Sequence, residues 1–199
     1  MRLNIFSLEE EQYYKSLQRF RDRLFLPVCQ FLNAFGVKSD YLSYLGFFMV
    51  VPFIYFFGSN PWLSALFLFL NVVFDALDGP LARFSRTASD RGAIIDVVCD
   101  HGSFVIFFLT ILFFGLMTPF WALLYLIQYA LMLAFVMYCR GHNVSFFPVF
   151  RSKYYVYLLL LFLLISGHNF YDAFLVLTSV YMIVTNIFLF DRIRCSKKF

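Results

Sequence analysis

Four aspartates, Asp75, Asp78, Asp96 and Asp100, fall within 26 residues of an otherwise oily chain. With Asp90 they make up five of its twelve acidic residues. On a helix, Asp75, Asp78, Gly79 and Ala82 share a stripe, because offsets of three, four and seven return to one face. Gly92, Asp96, Asp100 and Ser103, at offsets of four, eight and eleven, form a second stripe. The segment from Phe84 to Arg91 contains Ser, Thr, Asp and Arg and can turn the chain between them. Two antiparallel helix ends could therefore aim four carboxylates at one point. Unpaired, such charges repel and drive some of the group to the protonated form. Two Mg²⁺ or Mn²⁺ ions would balance four carboxylates in formal charge, and both metals favour oxygen ligands. Gly79, Ala82 and Gly92 leave room for a ligand along the stripes. Pro80 leaves the Ala76 carbonyl without its usual donor, which is tolerated at membrane depth only beside protein or water. With Arg83 close by, the pattern describes a site for a metal-bound diphosphate.

The elements that must hold these residues are membrane helices. The chain has 199 residues, 62% of them hydrophobic and 23% aromatic, well above the apolar share of soluble domains. The length is that of one domain. A spanning helix needs about 20 mostly apolar residues, and six runs qualify or nearly qualify: approximately 39–58, 61–83, 91–115, 118–139, 153–167 and 169–190. The runs are continuous rather than alternating, which argues against a β-barrel. The expected fold is an all-α integral membrane protein with six transmembrane helices. Tyr13, Leu17, Phe20 and Leu24 recur at helical spacing with basic residues on other faces, so 8–26 is expected as an amphipathic helix on the membrane surface.

Charge sets the sidedness. All sixteen Lys and Arg residues fall before the first span, in or at the edges of the loops after spans two and four, or after the sixth. By the positive-inside rule both termini and the acidic stretch are cytoplasmic. The net charge of +4 is then the ordinary cytoplasmic excess and calls for no nucleic-acid partner. The N-terminus lacks the apolar core of a signal peptide. Cys29, Cys99, Cys139 and Cys195 are widely spaced, without Cys-x-x-Cys, and read as reduced apolar fillers.

The acidic stretch reads Asp-x-x-Asp-Gly-x-x-Ala-Arg, eight residues, then Gly-x-x-x-Asp-x-x-x-Asp, carried by Asp75, Asp78, Gly79, Ala82, Arg83, Gly92, Asp96 and Asp100. It resembles the signature of the CDP-alcohol phosphotransferases, with every fixed position present. The six spans and the stretch from Leu26 to Gly46 are similar to that family as well. The family's usual Pro-Asn-x-x-Thr is Ser39-Asp40-Tyr41-Leu42-Ser43 here, where Ser43 keeps the hydroxyl.

The resemblance implies a CDP-linked donor, an attacking acceptor hydroxyl and release of CMP. It implies Asp75, Asp78 and Asp96 as the main metal ligands, and Asp100 beside them as the base. It further implies Ser43, Gly79, Ala82, Arg83 and Gly92 around the nucleotide, with Asp75 and Asp78 reaching it through the metals, and a homodimer. Arg140, Arg151 and Lys153, in or beside the last internal loop, lie where the family often binds its acceptor; membrane anchoring explains them equally well. The donor expected is CDP-diacylglycerol and the acceptor a small polar alcohol, with the surrounding membrane lipids as further partners. The rival readings are a CDP-amino-alcohol donor with a diacylglycerol acceptor, and a cation channel or carrier with an acidic ion path.

Overall fold

The computed structural model describes residues 8–142, 144 and 152–196. Among these residues there are eight helices and no strand: α1 (Leu8–Ala34), α2 (Ser39–Phe48), α3 (Val50–Phe57), α4 (Pro61–Phe84), α5 (Asp90–Phe113), α6 (Pro119–Gly141), α7 (Lys153–Ser166) and α8 (Tyr171–Ser196). The protein is an all-α membrane protein. Five stretches are long and apolar enough to cross a bilayer: Ser39–Phe57, Pro61–Phe84, Arg91–Phe113, Pro119–Cys139 and Tyr171–Cys195. They agree with five of the six expected spans to within a few residues at most ends. The sixth, α7, has 14 residues and rises only about 21 Å, less than a hydrocarbon core of about 30 Å. Large apolar side chains remain outward on these helices, among them Tyr55, Phe113 and Leu177. Lipid is the solvent that such faces suit.

The first span is two helices rather than one. α2 ends at Phe48 and α3 begins at Val50. Pro52 carries no amide hydrogen, so the Phe48 carbonyl four residues earlier loses its helical partner. The ladder survives on either side, with Met49 N–H donating to Leu45 O and Phe53 N–H to Met49 O. The amphipathic helix also runs further than expected, through Pro27 to Ala34.

The chain groups into two compact units. One holds residues 13–110 and 157–168, hence most of α1, all of α2 to α4, and most of α5 and α7. Within it α4 packs along both α2 and α3. Polar side chains tie these helices together: Asn71 Nδ2 donates to the Gly46 carbonyl at 2.9 Å, and Ser64 Oγ to the Phe53 carbonyl at 3.3 Å. Away from water such bonds have little competition. Phe53 meets Phe107 edge-on, and Phe104 and Phe107 both pack on Tyr157. Cys29, Leu42, Leu77 and Leu81 form a smaller core beneath α1. Burial, and then the nearby Asp22 carboxylate, push the Cys29 thiol above its ordinary range, so it is a packing group rather than a nucleophile.

Of the described residues, the other unit holds 8–12, 111–142, 144, 152–156 and 169–196. α6 and α8 pack closely, joined by Asn186 Nδ2 donating to the Gln128 backbone and side-chain oxygens at 2.9 and 2.8 Å. The Asp172 carboxylate accepts from Thr118 N–H and Oγ at 2.8 and 2.7 Å, fixing the starts of both helices. All four cysteines are free; Cys29, Cys99 and Cys139 are buried, and Cys195 is exposed.

Candidate active site

The acidic residues come from α4 and α5, which are started and stopped by local chemistry. Asn60 caps α4, its Oδ1 accepting from Leu63 N–H at 3.2 Å, with Pro61 in the first turn. The helix ends with Thr87 N–H reaching back to the Ala82 carbonyl and Arg86 in the left-handed region at φ 56°, a standard way to stop a helix. α5 opens with Ser89 Oγ accepting from Gly92 N–H at 3.1 Å. The cap expected of Ser, Thr, Asp or Asn is thus Ser89, and Asp90 is the first helical residue.

The carboxylates of the two stripes meet. Asp75, Asp78, Asp96 and Asp100 line one small chamber of about 10 Å³, with Ser43 and Gly46 from α2 and Asn71 from α4. Asp78 is buried, receives a 2.8 Å hydrogen bond from Ser43 Oγ, and has the Asp96 carboxyl within hydrogen-bonding reach. Two carboxyl groups this close cannot both ionise at ease unless positive charge stands between them. Asp100 is bonded to its neighbour, His101 Nδ1 lying 3.2 Å from Asp100 Oδ2. Among the described residues no three His, Cys, Asp or Glu side chains are already gathered as a metal-ligand group. The carboxylates and hydroxyls lining the chamber, beside the Cys99 thiol, offer oxygen donors that match the preference of Mg²⁺ or Mn²⁺.

The chamber adjoins a larger cleft of about 170 Å³, and Ser43, Asp78 and Asp96 line both. Gly79, Ala82, Arg83 and Gly92 are on the cleft wall. At Gly92 a Cβ would stand 3.3 Å from both Asp40 Oδ1 and Ser89 Oγ, tighter than ordinary contact, so the wall there accepts only a hydrogen comfortably. At Gly79 a Cβ would meet the guanidinium groups of Arg21 and Arg83, at 3.2 and 3.3 Å.

Arg83 is held in place from a distance in sequence. Its Nε and Nη2 donate to both oxygens of Asp22, on α1, at 3.0 and 2.5 Å. Both side chains are about one-third exposed, so the pair adds little stability. Its geometric effect is larger, because a bidentate clamp fixes the plane of the guanidinium. Nη1 then faces Gly79 on the cleft side.

Every residue expected at the acidic and nucleotide positions lies on this chamber or cleft, from Ser43 to Asp100. The expected acceptor residues do not enter that list. Lys153 belongs to the other unit, where it is buried with its Nζ 4.7 Å over the Tyr154 ring. The Arg140 side chain and all of Arg151 lie outside the described residues. Three further residues were not singled out from sequence. Asn71 stands four before Asp75, one turn along the same stripe, and that spacing is a signal for it. Arg21 and Asp22 had no such signal, since they are about sixty residues from the groups they touch.

A family model described as CDP-alcohol phosphatidyltransferase matches residues 37–190. No curated protein matches the chain.

Proposed function

Because the chain belongs to the CDP-alcohol phosphatidyltransferase family, we propose that it transfers a phosphatidyl group from CDP-diacylglycerol to a small polar alcohol and releases CMP. The observation that carries this reading is the joining of four carboxylates in one chamber with a glycine-walled cleft through Ser43, Asp78 and Asp96. Asp75, Asp78 and Asp96, with Asp100 beside them, would hold two divalent cations, which would supply electrostatic stabilisation of charge on the phosphoryl oxygens and the departing phosphate. Ser43 orients Asp78 through its 2.8 Å bond. Gly79, Ala82 and Gly92 make room for the cytidine, and Arg83, set by Asp22, binds nucleotide phosphate oxygens.

The acceptor oxygen attacks the phosphorus that bears the diacylglycerol. The bond from that phosphorus to the CMP oxygen breaks, and the hydroxyl proton passes to Asp100. His101, bonded to Asp100, keeps the carboxylate facing its task. The donor's acyl chains stay in the bilayer while the polar acceptor enters from the cytosol. For an anionic acceptor the family resemblance implies Arg140, Arg151 and Lys153 as the binding residues, and it implies a homodimer.

The direct test incubates purified protein with Mg²⁺ and CDP-diacylglycerol against glycerol 3-phosphate, serine, inositol and inositol phosphate, with CMP release and product mass as readouts. One alcohol should yield metal-dependent CMP and a new phosphodiester lipid. CMP formation with CDP-choline or CDP-ethanolamine and diacylglycerol, and with none of these alcohols, would reverse donor and acceptor. For an anionic acceptor, neutralising Arg151 and Lys153 together should raise its KM and leave the donor KM near wild type.

The reading also places the site on the cytoplasmic side, which one native cysteine can test. Cys195 is exposed and follows the basic Arg192 and Arg194, whereas Cys29, Cys99 and Cys139 are buried. A membrane-impermeant maleimide should label Cys195 in inside-out vesicles and spare it in right-side-out ones. Labelling only in right-side-out vesicles would put the C-terminus outside and overturn the six-span cytoplasmic arrangement.

A further inference from the structure

We propose that Ser103 is a binding residue of the acidic chamber, its hydroxyl holding a water carried by the divalent cation that the four carboxylates receive. The inference rests on the metal-dependent reading above and adds a residue to it. Ser103 is 1% exposed, and its Oγ has no hydrogen-bond partner among the described residues. It lines the same chamber as the four aspartates.

The missing partner is unusual in this protein. A serine or threonine inside a helix commonly bonds the carbonyl four residues back. Ser85, Thr110, Ser166, Thr178 and Thr185 all do so, at 2.7 to 2.9 Å. Ser103 could reach the Cys99 carbonyl in the same way, yet no such bond is made. Ser179 is likewise buried without a partner, but it is not among the residues lining the chamber. A buried hydroxyl left unpaired is costly, so a partner outside the protein is the economical explanation for it. Mg²⁺ gives up its waters reluctantly and usually keeps several. A hydroxyl one helical turn beyond Asp100 can accept from such a water and donate to a carboxylate.

The test measures Mn²⁺ binding to the detergent-purified full-length chain by the loss of the free-ion electron paramagnetic resonance signal. Metal-free thermal unfolding is recorded alongside. Ser103→Ala removes the hydroxyl, and Ser103→Cys keeps most of the volume with a poor hydrogen-bonding group. Both should weaken Mn²⁺ binding by about 10–100-fold, the range typical for a residue supporting metal ligands. The metal-free midpoint should hold or rise, because an unpaired buried polar group has been deleted. Wild-type affinity in both variants would overturn the role of Ser103 while leaving the acidic site standing. Lower metal-free stability in both would assign Ser103 to packing and also overturn it. Wild-type protein that binds no Mn²⁺ at millimolar concentration would overturn the metal site itself, and Ser103's role with it.

Discussion

Asp78→Asn should lose divalent-cation and CDP-donor binding together, while the metal-free protein becomes no less stable. Asn keeps an oxygen to accept from Ser43, whose hydroxyl lies 2.8 Å from Asp78 Oδ2. It replaces an ionisable carboxyl, buried within hydrogen-bonding reach of Asp96, with a neutral amide. A buried group that need not ionise beside a second carboxyl costs the metal-free fold nothing. The same change strips the best-enclosed ligand from the chamber, so metal affinity should fall by more than the roughly 10–100-fold typical of a supporting residue. Asp75→Asn and Asp96→Asn should behave similarly. The measurements are Mn²⁺ binding, metal-dependent binding of the CDP donor, and metal-free thermal unfolding on each purified variant. Donor binding that stays metal-dependent and near wild type in Asp78→Asn would falsify its assignment as a ligand.

Asp100→Asn should separate binding from turnover. Its carboxylate is mostly enclosed and lies 3.2 Å from His101 Nδ1. Asn retains an oxygen for that contact but cannot take up the acceptor's proton. Loss of a general base typically costs roughly 10²–10⁴ in rate. Turnover should drop by that factor while the donor still binds in the presence of metal. Product formation and donor binding must be measured on the same preparation, because a folding defect lowers both. Near-normal turnover would remove Asp100 as the base. Donor binding lost as fully as in Asp75→Asn would make it a metal ligand first.

Much of this site was legible in the sequence because helical periodicity is local. Offsets of three, four, seven, eight and eleven put the carboxylates and glycines on stripes whatever the rest of the chain does. The apolar runs and the one-sided Lys and Arg were legible for a similar reason: a bilayer imposes length and polarity residue by residue. The break between α2 and α3 was also written locally, in Pro52, but continuous hydropathy conceals a break that leaves composition unchanged. The shortness of α7 was visible in its apolar run, which reaches only from Lys153 to Ser166 in the structure.

Side-chain partners were another matter. Ser43 and Asp78 are 35 residues apart, and Asp22 and Arg83 are 61 apart. Nothing in either local sequence marks the other, because a hydrogen bond across helices depends on how those helices pack. Spacing alone could put Ser103 on the α5 stripe, but only the packed structure could show a buried hydroxyl there without a partner. The sequence by itself determined which faces carry charge, which segments enter lipid and which family the motif resembles. The tertiary structure decided that the two acidic stripes share one chamber, that Asp22 sets the plane of Arg83, and that Ser43 reaches Asp78. Helical periodicity is set by the backbone of each segment, whereas these contacts exist only once separate helices have packed.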